Sequence, residues 1–293
     1  MIQFTWDVHY KCNYRCPYCW FDGKWDDIKC NNIYPGTQKL LSYWDNIRKR
    51  YGTVHIEIAG GEPTIYPDFS GFVKELAKMH DIGVTSNITG DLEGILTSDK
   101  KFNIGMSFHP LFAEYGDFVK RALLLKNNGF GKTVLYLAYP TVVNRIPEYK
   151  KLFEEQGFVF HVLTFWGKYN GLDYPQSYTD EEKATIGLSL GMRDESKCKF
   201  QLEPVTTRGK PCNAGHTYVL VHPNGDAYRC GGGNWKEQHQ PFGNVFTENF
   251  RLLERPEPCE SDHCPCNEWS FLLVKQQQEN CPQESGIIGK PNS

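Results

Sequence analysis

The chain has 293 residues, 40% of them hydrophobic, so it can bury a large core without disulfide staples. Its 32 Lys and Arg against 35 Asp and Glu leave a net charge of −3, which excludes broad electrostatic attraction to nucleic acid or an anionic membrane surface. No apolar run reaches the roughly 18 residues of a membrane span, and residues 1–10 lack the basic-then-apolar pattern of a signal peptide, so a cytoplasmic protein without membrane or nucleic-acid partners is expected.

From residue 3 to about 190, short β-rich runs alternate with amphipathic stretches. Strands are expected at 4–9, 54–59, 83–86, 103–108, 134–139 and 159–164. Helical patterns lie between them at 38–50, 69–79, 92–96, 118–128 and 146–156, and a last one follows at 180–190. Asp68 offers a helix start, and Gly129 and Gly157 offer stops. Six strand–helix units imply a parallel sheet with crossover helices. Six units are too few to close an eight-fold barrel. The expected class is therefore α/β, a partial (β/α)6 barrel with its ligands at the carboxyl ends of the strands.

Beyond residue 190 the alternation stops, and only 268–279 has a helical pattern. A hairpin is expected from 217–222 through Pro223-Asn224-Gly225-Asp226 to 227–229, because Asn-Gly between alternating runs favours a tight turn. The chain is read as a barrel domain over 1–192, a small Cys-rich domain over 193–282 and a loose tail over 283–293.

Cysteine usage is uneven. Cys12, Cys16 and Cys19 form one group; Cys212, Cys230, Cys259, Cys264 and Cys266 form another, with Cys281 behind them; Cys30 and Cys198 stand alone. An odd total of 11 without a signal peptide points to metal ligands rather than disulfides. The first group directly follows the first strand as Cys12-Asn13-Tyr14-Arg15-Cys16-Pro17-Tyr18-Cys19. Three thiolates suit a four-iron cluster with one iron left open to a further ligand. Zinc is an alternative on spacing alone, with His9 as a fourth donor. Cys16-Pro17-Tyr18-Cys19 by itself equals a glutaredoxin-type redox motif, but that reading leaves Cys12 unused.

The Cys-x3-Cys-x2-Cys pattern with Tyr18 before its last cysteine resembles the radical S-adenosylmethionine (radical SAM) enzymes. Further residues fit in order. Gly60-Gly61-Glu62-Pro63 follows the second strand and resembles the family segment that holds the methionine amino group, glycine leaving the backbone carbonyls open to it. Ser86 and Asn87 end the third strand, where the family places ribose contacts. Ser107 ends the fourth, where a polar residue meets the methionine carboxylate. The resemblance covers residues 3–190 and implies a [4Fe-4S] cluster held by Cys12, Cys16 and Cys19, with S-adenosylmethionine at Tyr18, Gly60, Gly61, Glu62, Pro63, Ser86, Asn87 and Ser107.

The spacing Cys212-x12-Gly225-x4-Cys230 around the hairpin resembles the SPASM or twitch auxiliary-cluster module behind some of these enzymes. It implies one auxiliary [4Fe-4S] cluster on Cys212 and Cys230, completed by two among Cys259, Cys264, Cys266 and Cys281. A zinc ribbon is the alternative for this region. Trp166, Trp235 and His109 can wall a substrate pocket or simply pack, and no general acid or base stands out.

The implied function is reductive cleavage of S-adenosylmethionine to a 5′-deoxyadenosyl radical, which abstracts hydrogen from a small polar substrate. A flavodoxin- or ferredoxin-type protein would supply electrons. Radical maturation of a ribosomal peptide is the alternative, placed second because strand one begins too early to leave room for a leader-binding segment. A non-catalytic iron–sulfur electron carrier is a third, distant reading.

Overall fold

The computed structural model describes residues 1–189, 206–231, 240–262, 264 and 272–274. Cys198, Trp235, Cys266, Cys281 and the tail expected at 283–293 lie outside them. Six parallel strands run in chain order: β1 (Gln3–Asp7), β2 (His55–Ala59), β3 (Asp81–Ser86), β4 (Asn103–Phe108), β5 (Thr133–Leu137) and β6 (Val159–Leu163). The helices are α1 (Trp25–Ile28), α2 (Thr37–Tyr51), α3 (Phe69–Met79), α4 (Glu93–Leu96), α5 (Tyr115–Asn127), α6 (Ile146–Glu155) and α7 (Asp180–Ser189). The expected partial barrel is present. The short α1 and a hairpin of β7 (Gly167–Tyr169) with β8 (Leu172–Tyr174) are additions to it.

Alternation along the strands divides the sheet into two unlike faces. One buries Phe4, Trp6, Ile56, Ile58, Val84 and Met106 under the helices. On that side α2 contributes Leu40, Trp44 and Ile47 at helical spacing, and α3 contributes Phe69, Phe72, Val73 and Leu76. The Trp6 ring lies 5.2 Å from Trp44 and 5.5 Å, edge-on, from Phe72. The opposite, concave face carries Gln3, Thr5, Glu57, Thr85, Gly105 and Ser107, all half-exposed. A hydrophilic, open concave face beside a dry convex one marks the side on which a ligand is received.

The hairpin forms where expected, as β10 (Tyr218–Val221) and β11 (Asp226–Tyr228). Its place in the fold was not expected. Strand β10 pairs in parallel with β1, Gln3 opposite Tyr218 and Trp6 opposite Val221. With β12 (Gly243–Asn244) it extends the barrel sheet to nine strands, in the order β12-β11-β10-β1-β2-β3-β4-β5-β6. Two further short strands, β9 (Pro211–Cys212) and β13 (Glu257–Pro258), pair on their own. Among the described residues no helix is long and apolar enough to cross a membrane.

At the opening of β2, His55 is buried with Nδ1 2.8 Å from Asp81 and Nε2 3.6 Å from Glu57. Burial alone would lower its pKa, but the two carboxylates outweigh it and the pKa is raised. Stability from this pair is therefore full below the unfolded histidine value of about 6.5 and is lost as pH rises through the folded value. Asp81→Asn should melt lower than wild type near pH 5.5 and equal to it in alkaline buffer. The acid difference should not exceed about 1 kcal/mol, since the Asp81 side chain is 52% exposed. A pH-independent difference in melting would rule this account out.

Candidate active site

The carboxyl end of β1 runs into the cysteine loop, and the carboxyl end of β2 is clamped onto the same stretch. The Gly61 amide donates to the carbonyl of His9 at 2.7 Å, and that of Glu62 to the carbonyl of Lys11 at 2.9 Å. A Cβ on Gly60 would collide with the His9 carbonyl and one on Gly61 with that of Lys11; Gly60 also has φ +118°. The two glycines thus permit this backbone-on-backbone approach.

In the loop, Cys16 is buried, while Cys12 and Cys19 are half-buried. Burial pushes the Cys16 thiol up to about 12 and Cys19 up to about 11, and it raises Cys12 as well. Cys16 and Cys19 also feel the charge of Cys12, so the three sulfurs share one neighbourhood. Thiols held neutral by burial become ligands when a metal supplies the compensating charge. His9, the fourth donor of a zinc reading, instead donates Nε2–H to the carbonyl of Glu62 at 2.8 Å. Among the described residues no three metal-binding side chains are grouped as around a single ion. In a four-iron cube each thiolate binds a different iron, so its ligands need not meet at one point. The donor set fits such a cube.

Glu62 is the hub of the site. It is buried, caps the short 3-10 turn Pro63–Ile65, and accepts four hydrogen bonds. They come from the Thr64 amide (3.0 Å), the Thr64 hydroxyl (2.5 Å), the Ser86 hydroxyl (2.6 Å) and the Asn87 amide (2.7 Å). Burial raises its pKa, and these donors oppose the rise. The Asn87 side chain donates to Asn13 of the cysteine loop at 3.1 Å and accepts from the Thr89 amide. Residues 9–13, 60–64 and 86–90 are thereby stitched into one platform. Ile88 in that platform has φ +54°, a strained value for a β-branched residue. The Ser86 hydroxyl holds its amide, and the Arg121 guanidinium holds its carbonyl and that of Gly90. Asn13 is an unspecified position inside the cysteine motif, and Thr64, Ile88 and Arg121 belong to no motif spacing, so sequence reasoning missed all of them.

Glu62→Gln turns one of the two acceptor oxygens into a donor facing donors, at a cost of about 1–3 kcal/mol. The variant should keep its iron near the wild-type amount and bind S-adenosylmethionine about tenfold more weakly. Iron loss as complete as in a cysteine variant would make the Gly60–Glu62 segment a structural turn only.

Tyr18 stacks on His109 with ring centres 5.7 Å apart, and its hydroxyl is 3.1 Å from His109 Nδ1. Burial lowers the His109 pKa to about 4, so the ring is neutral near pH 7. Tyr14 packs edge-on against the same ring. Ser107 lies on the concave face. Trp166 has a buried indole N–H without a partner among the described residues.

The second cysteine group meets in a cavity of about 190 Å³ lined by Cys212, Cys230 and Cys259 with Tyr228, Arg229 and Glu260. That is far more than the roughly 10–15 Å³ a single water needs. Burial raises the Cys212 thiol, and the charges of Cys259 and Cys264 raise it further. Cys264 therefore stands near the same centre. Strand β9, paired with β13 through Cys212 and Glu257, carries Cys212 to it, and Cys259 directly follows β13.

Residues 7–107 match the model of the Radical SAM superfamily. The mycofactocin maturase MftC of Mycobacterium ulcerans is 25% identical over 301 residues, covering 87% of this chain and 78% of that protein. The chain spans 64% of MftC from Mycobacterium tuberculosis. The PqqA peptide cyclase of Methylorubrum extorquens is 26% identical over 162 residues, 52% of this chain and 40% of that protein. The solved structure of Streptococcus suis SuiB bound to precursor peptide SuiA superposes with a TM-score of 0.61 at 13% identity, over 84% of this chain and 62% of that one. At that identity the likeness is one of fold.

Proposed function

We propose, from the match of residues 7–107 to the model of the Radical SAM superfamily, that the chain cleaves S-adenosylmethionine reductively and turns the radical on a peptide. The cluster and S-adenosylmethionine, when bound, supply one-electron cleavage of a sulfonium and a carbon radical that takes hydrogen. The observation that carries the reading is the platform around Glu62, which fixes the loop of Cys12, Cys16 and Cys19 against the ends of β2 and β3. Those three thiolates hold the cluster. Gly60, Gly61, Glu62, Pro63, Ser86, Asn87, Ser107 and Tyr18 shape the cofactor pocket. Glu62, Ser86 and the Asn87 amide do so through one another, by holding the loops in place.

Cys212, Cys230, Cys259 and Cys264 hold one auxiliary cluster, which the cavity they share supports. A flavodoxin- or ferredoxin-type protein is the reductant. The match to a peptide cyclase over half of the chain favours the peptide reading over the small polar substrate first expected. The test is anaerobic reconstitution followed by reduction. Release of 5′-deoxyadenosine is expected, and its absence from iron-loaded protein would sink the proposal. For the substrate, co-expression with short peptides encoded beside this gene should change the mass of one of them. A mass change only in a small polar metabolite would return the first reading.

A further inference from the structure

Asp7 ends β1, five residues before Cys12, and by strand alternation it shares the concave face with Gln3 and Thr5. It is 7% exposed. Its carboxylate makes no hydrogen bond or ion pair with any described residue. Its oxygens are also not among the sealed, unpartnered polar atoms of the interior. Strand alternation turns them to the concave side of the sheet. A buried carboxylate without a partner is costly, and such groups are retained where a ligand completes them. The flanking position on β2 is Ala59, which offers no donor. Tyr10 of the cysteine loop is the titratable group that shares its field, and His222, Asp226 and Tyr228 of the hairpin lie around Tyr10 in turn. The Tyr10 hydroxyl feels the charges of Asp7, Asp226 and Tyr228. His222, lowered to about 4 by burial, is neutral. No cation among the described residues reaches Asp7, whose pKa rises to about 7 through burial alone. The other carboxylates of this face are already engaged, Glu57 by Thr85 at 2.8 Å and by His55, and Asp81 by His55 at 2.8 Å. The strands present no Lys or Arg on the concave side.

We propose that Asp7 is the anchor of the substrate site and that it receives a hydrogen-bonding organic cation, a protonated amine or a guanidinium, carried by the substrate. The assignment rests on the reading that the concave face receives the substrate. A cation supplies both the charge and the donors that Asp7 lacks, which a neutral apolar group cannot do.

The experiment uses reconstituted protein with S-adenosylmethionine. Wild type and Asp7→Asn are titrated with n-butylammonium chloride, n-butylguanidinium chloride and n-butanol, following the melting temperature above pH 7. Saturable stabilisation by one or both cations, and none by butanol, is expected. The stronger cation identifies the substrate group as amine or guanidine. In Asp7→Asn the response should be weaker by about tenfold or more. Equal responses in the two proteins, a butanol response matching the cations, or no cation response in wild type would each overturn the proposal. So would a loss of S-adenosylmethionine affinity in Asp7→Asn, which would make Asp7 a cofactor contact. Stability supplies a second readout. Because the folded pKa is raised, the carboxylate's penalty appears as pH climbs from about 4 to about 7. Asp7→Asn should then melt above wild type in alkaline buffer and equal to it in acid. A variant that melts lower throughout would give Asp7 a structural role instead. Assay of 5′-deoxyadenosine on the same wild-type sample keeps failure of the radical reading distinct from failure of this one.

Discussion

Replacing Cys12, Cys16 and Cys19 together by Ala should remove about four irons per chain and all cleavage of S-adenosylmethionine. The three thiols are buried or half-buried and share each other's field. Without metal they stay neutral at pH 7, so the loop has no alternative charged partner to organise it. The platform beneath should survive the substitution. Gly61 and Glu62 grip the backbone of His9 and Lys11 rather than the cysteine side chains, and Glu62 is held by Thr64, Ser86 and Asn87. The triple variant should therefore fold and melt near the metal-free wild type. Iron analysis and chromatography of 5′-deoxyadenosine decide the matter. Cleavage that persists in the triple variant would place the cluster elsewhere and defeat the proposed function.

The fold was legible because the barrel is built from local signals. Alternation in 103–108 places Ile104, Met106 and Phe108 on the dry side and Gly105 and Ser107 on the open side, as observed. Helix α3 takes its five buried residues from a repeat visible in the sequence. The pairing of β10 with β1 was not legible, since it joins residues more than 200 positions apart and parallel pairing carries no turn signature. The site divides in the same way. Spacing picked out the cysteines and the family resemblance the Gly60–Pro63 segment, because the residues of each adjoin in sequence. The clamp on Ile88 and Gly90 comes from Arg121 on α5 and meets the platform only after folding. Asp7 escaped notice for a related reason. One Asp among strand residues says nothing until its neighbours are known to offer no donor.

The auxiliary site gives the second large effect. Cys230→Ala should lose about four irons while the first cluster and its cleavage of S-adenosylmethionine remain, because a cube short of one thiolate does not assemble. Cys212, Cys230 and Cys259 line one cavity, and Cys264 acts on Cys212 from nearby. Cys264→Ala should therefore reproduce the iron loss of Cys230→Ala. The structural damage should be local. Strands β10 and β11 are tied into the barrel sheet through β1, whereas β9 and β13 hold each other by one short pairing and a small cluster around Cys212, Ala214 and Tyr218. Limited proteolysis of Cys230→Ala should then cut within 206–216 and 251–264 and spare the hairpin. Substrate turnover should fall even though 5′-deoxyadenosine still forms. An unchanged iron count in Cys230→Ala, with zinc recovered from the protein, would make this cavity a structural metal site and leave the barrel with a single cluster.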